Sequence, residues 1–279
     1  ALSIGLEKGD NVVLPGGEFP ANVLPWMGLE RFGVETRIID PRPTPDDILR
    51  AIDDNTRCIA ISLVSFGDGF RPDIDAIAQI CHERNIIFFV DGIQGIGNLP
   101  VDVERSGIDI LASGGQKWLI SPWGSGFLYV SKRVINRLTV PLEGWLSRFP
   151  TRDFSDLLDY TVPYPDNASR FEVGTPSFSA IIGMERSMEF ILDIGIENIF
   201  AHSQKLCNAF IDGLDSRYSP ISAGLPSSIV CFRAERPQAL YKKLADMGFA
   251  LSLREGSIRV AFHLYNNMDD VARLLEALK

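Results

Sequence analysis

Short runs of β-branched and aromatic residues recur through the first 130 residues, with longer amphipathic segments between them. The runs are NVVL, VETRIID, RCIAISL, IIFFV and IDILA. Neighbouring parallel strands need long crossover connections, usually helices, so this rhythm predicts a mostly parallel, doubly wound α/β sheet. The next run, GFLYV at residues 126–130, follows too soon for a crossover helix. It is therefore predicted to run antiparallel in the same sheet.

The pattern changes after a Pro- and aromatic-rich stretch at residues 141–176, which has no clean periodicity. Loops of that length in compact domains are usually functional. Two long amphipathic helices are predicted over about residues 179–194 and 196–214, followed by strand-like and helical segments. We expect a large domain over residues 1–178, and linking helices with a small α+β domain over residues 179–279.

Length and composition are those of a soluble globular protein: 279 residues, 46% hydrophobic and 23% charged. The net charge of −9 argues against a nucleic-acid partner or an anionic membrane surface. No apolar run approaches the roughly 20 residues of a membrane helix, and no signal peptide opens the sequence. We therefore expect a cytoplasmic protein. The opening ALSIGLEKGDNVVLP begins inside an element, so part of a domain is expected upstream.

The cysteines and histidines are scattered. Cys58, Cys81, Cys207 and Cys231 form no CxxC pair, and three of them lie in apolar stretches, which is typical of buried free thiols. The three histidines lack metal-ligand spacing, so no metal is expected.

The segment at residues 88–130 contains the strongest chemical signal. Asp91 follows an apolar strand, and Lys117 comes just after the next strand, so both are expected at the carboxyl edge of the sheet. A lysine desolvated at such an edge forms imines, and a carboxylate opposite it suits a cofactor with a protonated ring nitrogen. Each residue alone also fits a simpler role: Asp91 as a strand-end cap, and Lys117 as a solvated charge.

Two other interpretations of this segment fail. GIGNLP resembles a dinucleotide fingerprint, but Pro100 occupies the place of the third glycine. GGQK is not a phosphate-binding P-loop, because that motif would need a glycine where Ile110 stands.

As a set, D-G-x-Q, S-G-x-x-K-W and P-x-G-x-G-x-L-Y-V resemble class V of the fold-type I pyridoxal-phosphate (PLP) enzymes. The resemblance implies that Asp91 pairs with the pyridinium nitrogen of pyridoxal 5'-phosphate and that Gln94 approaches its phenolic oxygen. It also implies that Lys117 forms the Schiff base and shuttles a proton, while Gln116 approaches the phosphate.

Three further segments match the same family. GGEFPANVLPW places Phe19 where relatives stack a ring on the cofactor. RFEVGTP places Gly174 and Thr175 where relatives reach the phosphate of the neighbouring subunit's cofactor, which implies a homodimer with shared active sites. SIRVAFHLYNN places Arg259 as the clamp on the carboxylate of a small amino-acid substrate.

The departures from the family pattern concern the reaction. Desulfurases have a nucleophilic cysteine on a loop before the carboxylate-binding arginine, but LREGSIRV contains none, and Phe66 replaces a common Asn. The sequence therefore favours a PLP-dependent aminotransferase, with a kynureninase-like or desulfurase-like lyase or an epimerase as the alternative. A non-catalytic fragment unable to retain PLP is a third hypothesis, because family members carry a phosphate-binding turn upstream of this sequence.

Overall fold

The structure is a computed structural model that describes residues 1–149, 155, 157–221 and 225–279. The strands of these residues are β1 (Asn11–Pro15), β2 (Glu35–Ile39), β3 (Thr56–Ser62), β4 (Ile87–Asp91), β5 (Ile110–Gly114), β6 (Gly126–Val130), β7 (Ser219–Pro220), β8 (Ile229–Arg233), β9 (Ser252–Arg254) and β10 (Ser257–Ala261). The α-helices are α1 (Leu24–Met27), α2 (Pro45–Ala51), α3 (Ile74–Glu83), α4 (Trp145–Arg148), α5 (Phe178–Ile194), α6 (Ile196–Gly213), α7 (Pro237–Asp246) and α8 (Met268–Ala277). Short 3₁₀ helices lie at Leu2–Ile4, Pro20–Asn22, Glu30–Phe32, Ile135–Arg137 and Ala168–Phe171.

The first six strands form one sheet in the order β2-β1-β3-β4-β5-β6. Strands β1 to β5 are parallel, and β6 pairs antiparallel with β5, so both sequence predictions for this sheet are confirmed. The remaining strands form an antiparallel sheet in the order β7-β8-β10-β9. Together they confirm a mostly parallel α/β large sheet with a smaller α+β C-terminal part.

The helices between the parallel strands begin at strong local signals. Thr44 caps α2 in a reciprocal capping box with Asp47, and Pro45 occupies the first helical position. Asp73 caps α3 by accepting a hydrogen bond from the Ala76 N–H. Helix α3 then packs one apolar side onto the sheet, with Ile77 and Cys81 fully buried. These caps fix the residue at which each crossover helix begins, and therefore where the loop after the preceding strand ends.

The two faces of the sheet differ in burial. On β4, Phe88 and Val90 have no exposed surface, whereas Phe89 and Asp91 are half-buried. Side chains alternate between faces along a strand, so Phe89 and Asp91 share the less covered face. That face carries the site described below.

The small sheet packs directly against the large one. Ile229 and Cys231 of β8 belong to the same core cluster as Val13 and Phe88 of the large sheet. A second cluster lies between α6, α8 and the small sheet around Phe210 and Phe232. The division between residues 178 and 179 stays a prediction, since α5 begins at Phe178.

Membrane-spanning helices and metal-ligand clusters are both absent from the residues that the structure describes. In these ranges, no helix is long and apolar enough to cross a membrane. The same ranges contain no group of three His, Cys, Asp or Glu side chains suited to a metal ion. Part of the stretch at residues 141–176, namely 150–154 and 156, lies outside the described residues.

Candidate active site

Asp91 and Lys117 emerge at the same edge of the large sheet. Asp91 is the last residue of β4, and Lys117 follows the end of β5 by three residues. The Asp91 carboxylate accepts a hydrogen bond at Oδ1 from the Ile93 N–H at 3.0 Å. Burial raises the pKa of Asp91, while this hydrogen bond and the charge of Lys117 act in the opposite direction. The carboxylate therefore lies within electrostatic reach of the lysine.

Lys117 is an exposed residue whose ammonium group is partly shielded by protein. That partial burial lowers the pKa of Lys117, the positive charge of Arg259 lowers it further, and Asp91 opposes both. Its Nζ lies 6.0 Å from the centroid of the Phe19 ring. A lowered pKa increases the fraction of neutral amine near pH 7, which is the form that attacks a carbonyl carbon.

Phe66 contacts both the Phe19 ring and Arg259 of the small sheet. The rings of Phe19 and Phe66 meet edge to face, with centroids 5.2 Å apart. The Arg259 guanidinium donates a hydrogen bond from Nη1 to the backbone carbonyl of Phe66. Phe66, which the sequence indicated as a departure from the desulfurase pattern, therefore links the predicted ring-stacking residue to the predicted carboxylate clamp.

Arg259 is half-buried and forms no ion pair with a carboxylate within the described ranges. Burial lowers the pKa of its guanidinium, and the neighbouring charge of Arg254 lowers it further. Two guanidinium groups close together without a paired carboxylate form a positive region suited to a small anion.

The turn after β4 packs against the lysine loop. Gln94 lies in this turn and is only 7% exposed. At Gly97, which has a φ of 98°, an added Cβ would come within 2.7 Å of the Trp118 backbone carbonyl. A side chain at Gly97 would push away the loop that carries Lys117 and Trp118, so glycine allows the turn and that loop to pack closely. In that loop, the Gln116 side-chain amide lies over Gly114.

A cavity of about 850 Å³ opens over the less covered face of the sheet. Asp91, Ser113 and Gly174 all line it, which brings one predicted phosphate contact to the predicted ring-nitrogen partner. Thr175 is exposed and is not among the lining residues. Of the two residues predicted to reach the phosphate, therefore, Gly174 lines this cavity and Thr175 does not.

Sequence reasoning missed two groups at this site, the half-buried Glu18 and the buried His263. The Glu18 carboxylate accepts hydrogen bonds from Ser62 and Asn22, and the negative charge of Asp91 acts on it. The His263 ring stacks on Trp118 and on Tyr265, with centroids 4.9 and 4.4 Å apart. An acidic residue directly before Phe19 was the available signal for Glu18, whereas His263 gave none.

The four cysteines are buried free thiols, as predicted, with exposures of 0–2%. Cys231 lies directly opposite Arg259 in the β8–β10 pair, and its Sγ donates to the Gly67 carbonyl at 3.2 Å. Burial raises the pKa of Cys58, Cys207 and Cys231 to about 12, and it raises that of Cys81 as well. Because the thiolate is the reactive form, none of these thiols is an activated nucleophile near neutral pH.

Comparison with known proteins identifies the family. A model of class-V aminotransferases matches residues 1–274. A probable cysteine desulfurase of Methanothermobacter thermautotrophicus is 28% identical, with 100% of this chain and 75% of that protein aligned. An uncharacterized aminotransferase of Bacillus subtilis, YcbU, is 27% identical over 96% of this chain and 71% of its own length. A cysteine desulfurase of Shigella sonnei is 32% identical over 76% of this chain and 52% of that protein.

Solved structures show the same fold. The apo cysteine desulfurase of Thermococcus onnurineus superposes with a TM-score of 0.86 at 24% identity, covering 99% of this chain and 74% of that one. The cystine C–S lyase C-DES gives 0.90 at 21% identity, covering 99% and 77%. A variant of that lyase, with glycine covalently linked to its PLP cofactor, gives 0.88 at 20% identity, covering 99% and 76%. The resemblance, the fold-type I architecture and the cofactor expected from the sequence are thereby confirmed, and the chain belongs to the class-V aminotransferase family of PLP-dependent enzymes.

Proposed function

We propose that this chain binds PLP through Lys117 and acts on the Cα–H bond of a small amino acid, with transamination as the leading reaction. The observation that carries the proposal is that Asp91 and Lys117 lie at the same edge of the large sheet, while Arg259 of β10 in the small sheet lies within electrostatic reach of Lys117. A carboxylate, an imine-forming amine and a carboxylate-binding guanidinium are the groups that such chemistry requires.

The residues present fit the cofactor. Asp91 is half-buried and accepts a hydrogen bond at Oδ1, and a carboxylate can accept further ones from a protonated ring nitrogen. The cavity of about 850 Å³ beside it lies within the range of small-molecule sites. We propose that Gln94 contacts the ring oxygen, that Gln116 approaches the phosphate, and that Phe19 stacks on the ring.

When bound, PLP supplies an electron sink for the pair of electrons left at Cα. The protein's own residues do the rest. Asp91 keeps the ring nitrogen protonated, because its negative charge favours the charged form of that nitrogen. Lys117, with its lowered pKa, accepts and returns the Cα proton. Arg259 holds the substrate carboxylate through a paired, charge-assisted hydrogen bond.

We further propose that two chains form a homodimer in which Gly174 and Thr175 serve the partner's cofactor. The exposure of Thr175 supports this, as do the apolar side chains Ile182 and Leu192, which α5 leaves exposed. Within one chain Gly174 lines the cavity that contains Asp91, so the arrangement needs its own test. If sites are shared, mixing inactive Lys117→Ala and Thr175→Tyr chains should restore part of the activity, whereas sites within single chains would leave the mixture inactive.

A lyase is the second candidate, and the names of the relatives favour it. Several relatives at 28–32% identity are named cysteine desulfurases. Burial raises the pKa of the Cys207 and Cys231 thiols to about 12, which disfavours a mechanism in which a protein thiolate accepts the substrate sulfur. A lyase here would therefore release the side-chain sulfur directly by β-elimination.

The test is reduction of PLP-supplemented protein with borohydride, followed by peptide mass spectrometry. A pyridoxyl group on Lys117, absent from Lys117→Ala, is expected. An unmodified Lys117 would refute the proposal and favour a non-catalytic fragment. If the adduct forms, candidate amino acids are added to a separate, unreduced sample of the PLP-loaded protein. Release of an oxo acid together with a pyridoxamine cofactor indicates transamination. Release of sulfide or persulfide from cysteine or cystine indicates the lyase.

A further inference from the structure

Glu18 is a half-buried residue next to the proposed cofactor-stacking residue, and the proposed reaction gives its carboxyl group no role. It directly precedes Phe19 in the loop after β1. Its Oε1 accepts a hydrogen bond from the Ser62 N–H at 2.8 Å, and its Oε2 accepts one from the Ser62 hydroxyl. The side-chain amide of Asn22 donates a third to Oε2 at 3.0 Å.

Ser62 connects this carboxylate to the strand that carries Asp91. It is the last residue of β3 and pairs with Asp91 in the parallel register of β3 and β4. The next residue, Leu63, donates its N–H to the Asp91 carbonyl at 2.9 Å. The Glu18 side chain therefore fastens the Phe19 loop to the strand ends that form the cofactor edge.

We propose that Glu18 is a positioning residue that holds the Phe19 ring over the cofactor by tying its loop to the end of β3. The proposal rests on the proposed function, since it assigns Phe19 to the cofactor. It makes Glu18 neither an acid nor a base in the reaction.

The placement of Phe19 shows why such a tie is needed. The residue is 47% exposed and its ring contacts Phe66, so burial alone does not fix the orientation of the ring. A carboxylate in this place is costly: burial raises the pKa of Glu18, and the charge of Asp91 raises it further. An apolar anchor would avoid this cost. What a carboxylate adds is two oxygens that receive both the backbone and the hydroxyl donor of one residue.

The Asn22 side chain makes it possible to test the positioning of the Phe19 loop separately from the negative charge of Glu18. It is 3% exposed, and its Oδ1 has no hydrogen-bond partner among the described residues. In Glu18→Gln, the new amide can keep its carbonyl on the Ser62 N–H. The Asn22 amide can then turn over, so that its Oδ1 accepts from the new NH₂ group. This variant keeps the tie and loses the charge, whereas Glu18→Ala loses both.

The experiment compares wild type, Glu18→Gln, Glu18→Ala and Ser62→Ala by PLP titration and by visible circular dichroism of the bound cofactor. The dichroism reports how rigidly the ring is held. For Glu18→Ala we expect PLP affinity to fall by about tenfold or more, with most of the visible dichroism lost. Glu18→Gln should stay within about threefold of wild type in affinity and keep its dichroism, which is rescue by the conservative variant. Ser62→Ala, which loses one of the donors, should fall between them.

Wild-type affinity and dichroism in Glu18→Ala would overturn the inference. If Glu18→Ala does not fold, Ser62→Ala decides, and a wild-type spectrum there would overturn it. If Glu18→Gln matches Glu18→Ala, the charge and not the tie matters, which also overturns it. Failure of the proposed function looks different, because wild-type protein would then bind no PLP.

Discussion

Gly69 is the point at which the Phe66 loop meets the small sheet. It is buried, with a φ of 77°, and an added Cβ would lie 2.5 Å from the Ile229 backbone oxygen and 2.9 Å from the Ile229 Cβ. Ser227 also donates its hydroxyl to the Gly69 carbonyl at 2.7 Å. We therefore expect Gly69→Ala to separate the loop from β8 and to shift the Phe66 carbonyl that receives Arg259.

Gly248 offers a matched control, because it has a similar φ of 87° but no atom within 4 Å of an added Cβ. A left-handed alanine costs about 1–2 kcal/mol, and reduced freedom of the unfolded chain offsets about 0.4–1 kcal/mol of this. Gly248→Ala should therefore lower the free energy of unfolding by about 1 kcal/mol. In Gly69→Ala the contact with fixed backbone adds about 1–3 kcal/mol of overpacking, for a total of about 2–4 kcal/mol.

The assay is urea unfolding at fixed PLP concentration, followed by far-UV circular dichroism, with the slope compared between variants. Gly69→Ala should also raise KM for the amino-acid substrate more than kcat changes, whereas Gly248→Ala should leave both unchanged. Equal losses of stability in the two variants would refute the reasoning, since backbone conformation alone would then explain both.

Four other outcomes are expected. Asp91→Asn should weaken PLP binding about tenfold or more in a direct titration, because the proposed charge-assisted hydrogen bond to the ring nitrogen would be lost. Because the pKa of Lys117 is lowered, acylation of apo protein should label Lys117 with a midpoint below the ordinary lysine value, measured by peptide mass spectrometry against pH. Asp109 is 1% exposed and paired with Arg133, so Asp109→Ala should lower the free energy of unfolding by about 3 kcal/mol in urea. An aromatic disulfide reagent should react with the four thiols slowly in native protein and fully in denaturant; rapid native reaction of any one would reopen the desulfurase mechanism.

Local signals explain why much of the fold could be predicted. Capping residues such as Thr44 and Asp73 bond to residues three positions away, and a run of apolar residues indicates a buried strand. Helix starts and strands can therefore be predicted from short stretches of sequence. Asp91 and Lys117 could be placed at one edge because carboxyl ends of parallel strands share an edge. The bounds shifted slightly from those predicted, since α5 begins at Phe178 and α6 ends at Gly213.

Other parts of the site depend on distant contacts that no local pattern records. Arg259 reaches the Phe66 carbonyl across 193 positions, and Glu18 reaches Ser62 across 44. The pairing of Cys231 with Arg259 follows from the antiparallel register of β8 and β10, and a shift of one residue would change it.

The sequence by itself therefore determined the α/β class, the strand edge with its carboxylate and lysine, and the cofactor. The fold class and the strand edge depend on short-range periodicity and on chain order, whereas the cofactor was implied by the resemblance of the motifs around Asp91 and Lys117 to a known family. The tertiary structure decided which residues surround them: the Phe66 bridge to Arg259, the hydrogen bonds of Glu18 to Ser62 and the position of Cys231 opposite Arg259. The Phe66–Arg259 contact required the small sheet to pack on the large one, and the Glu18–Ser62 contact required the loop after β1 to fold onto the end of β3. Contacts between such distant segments form only when the chain packs its apolar faces together.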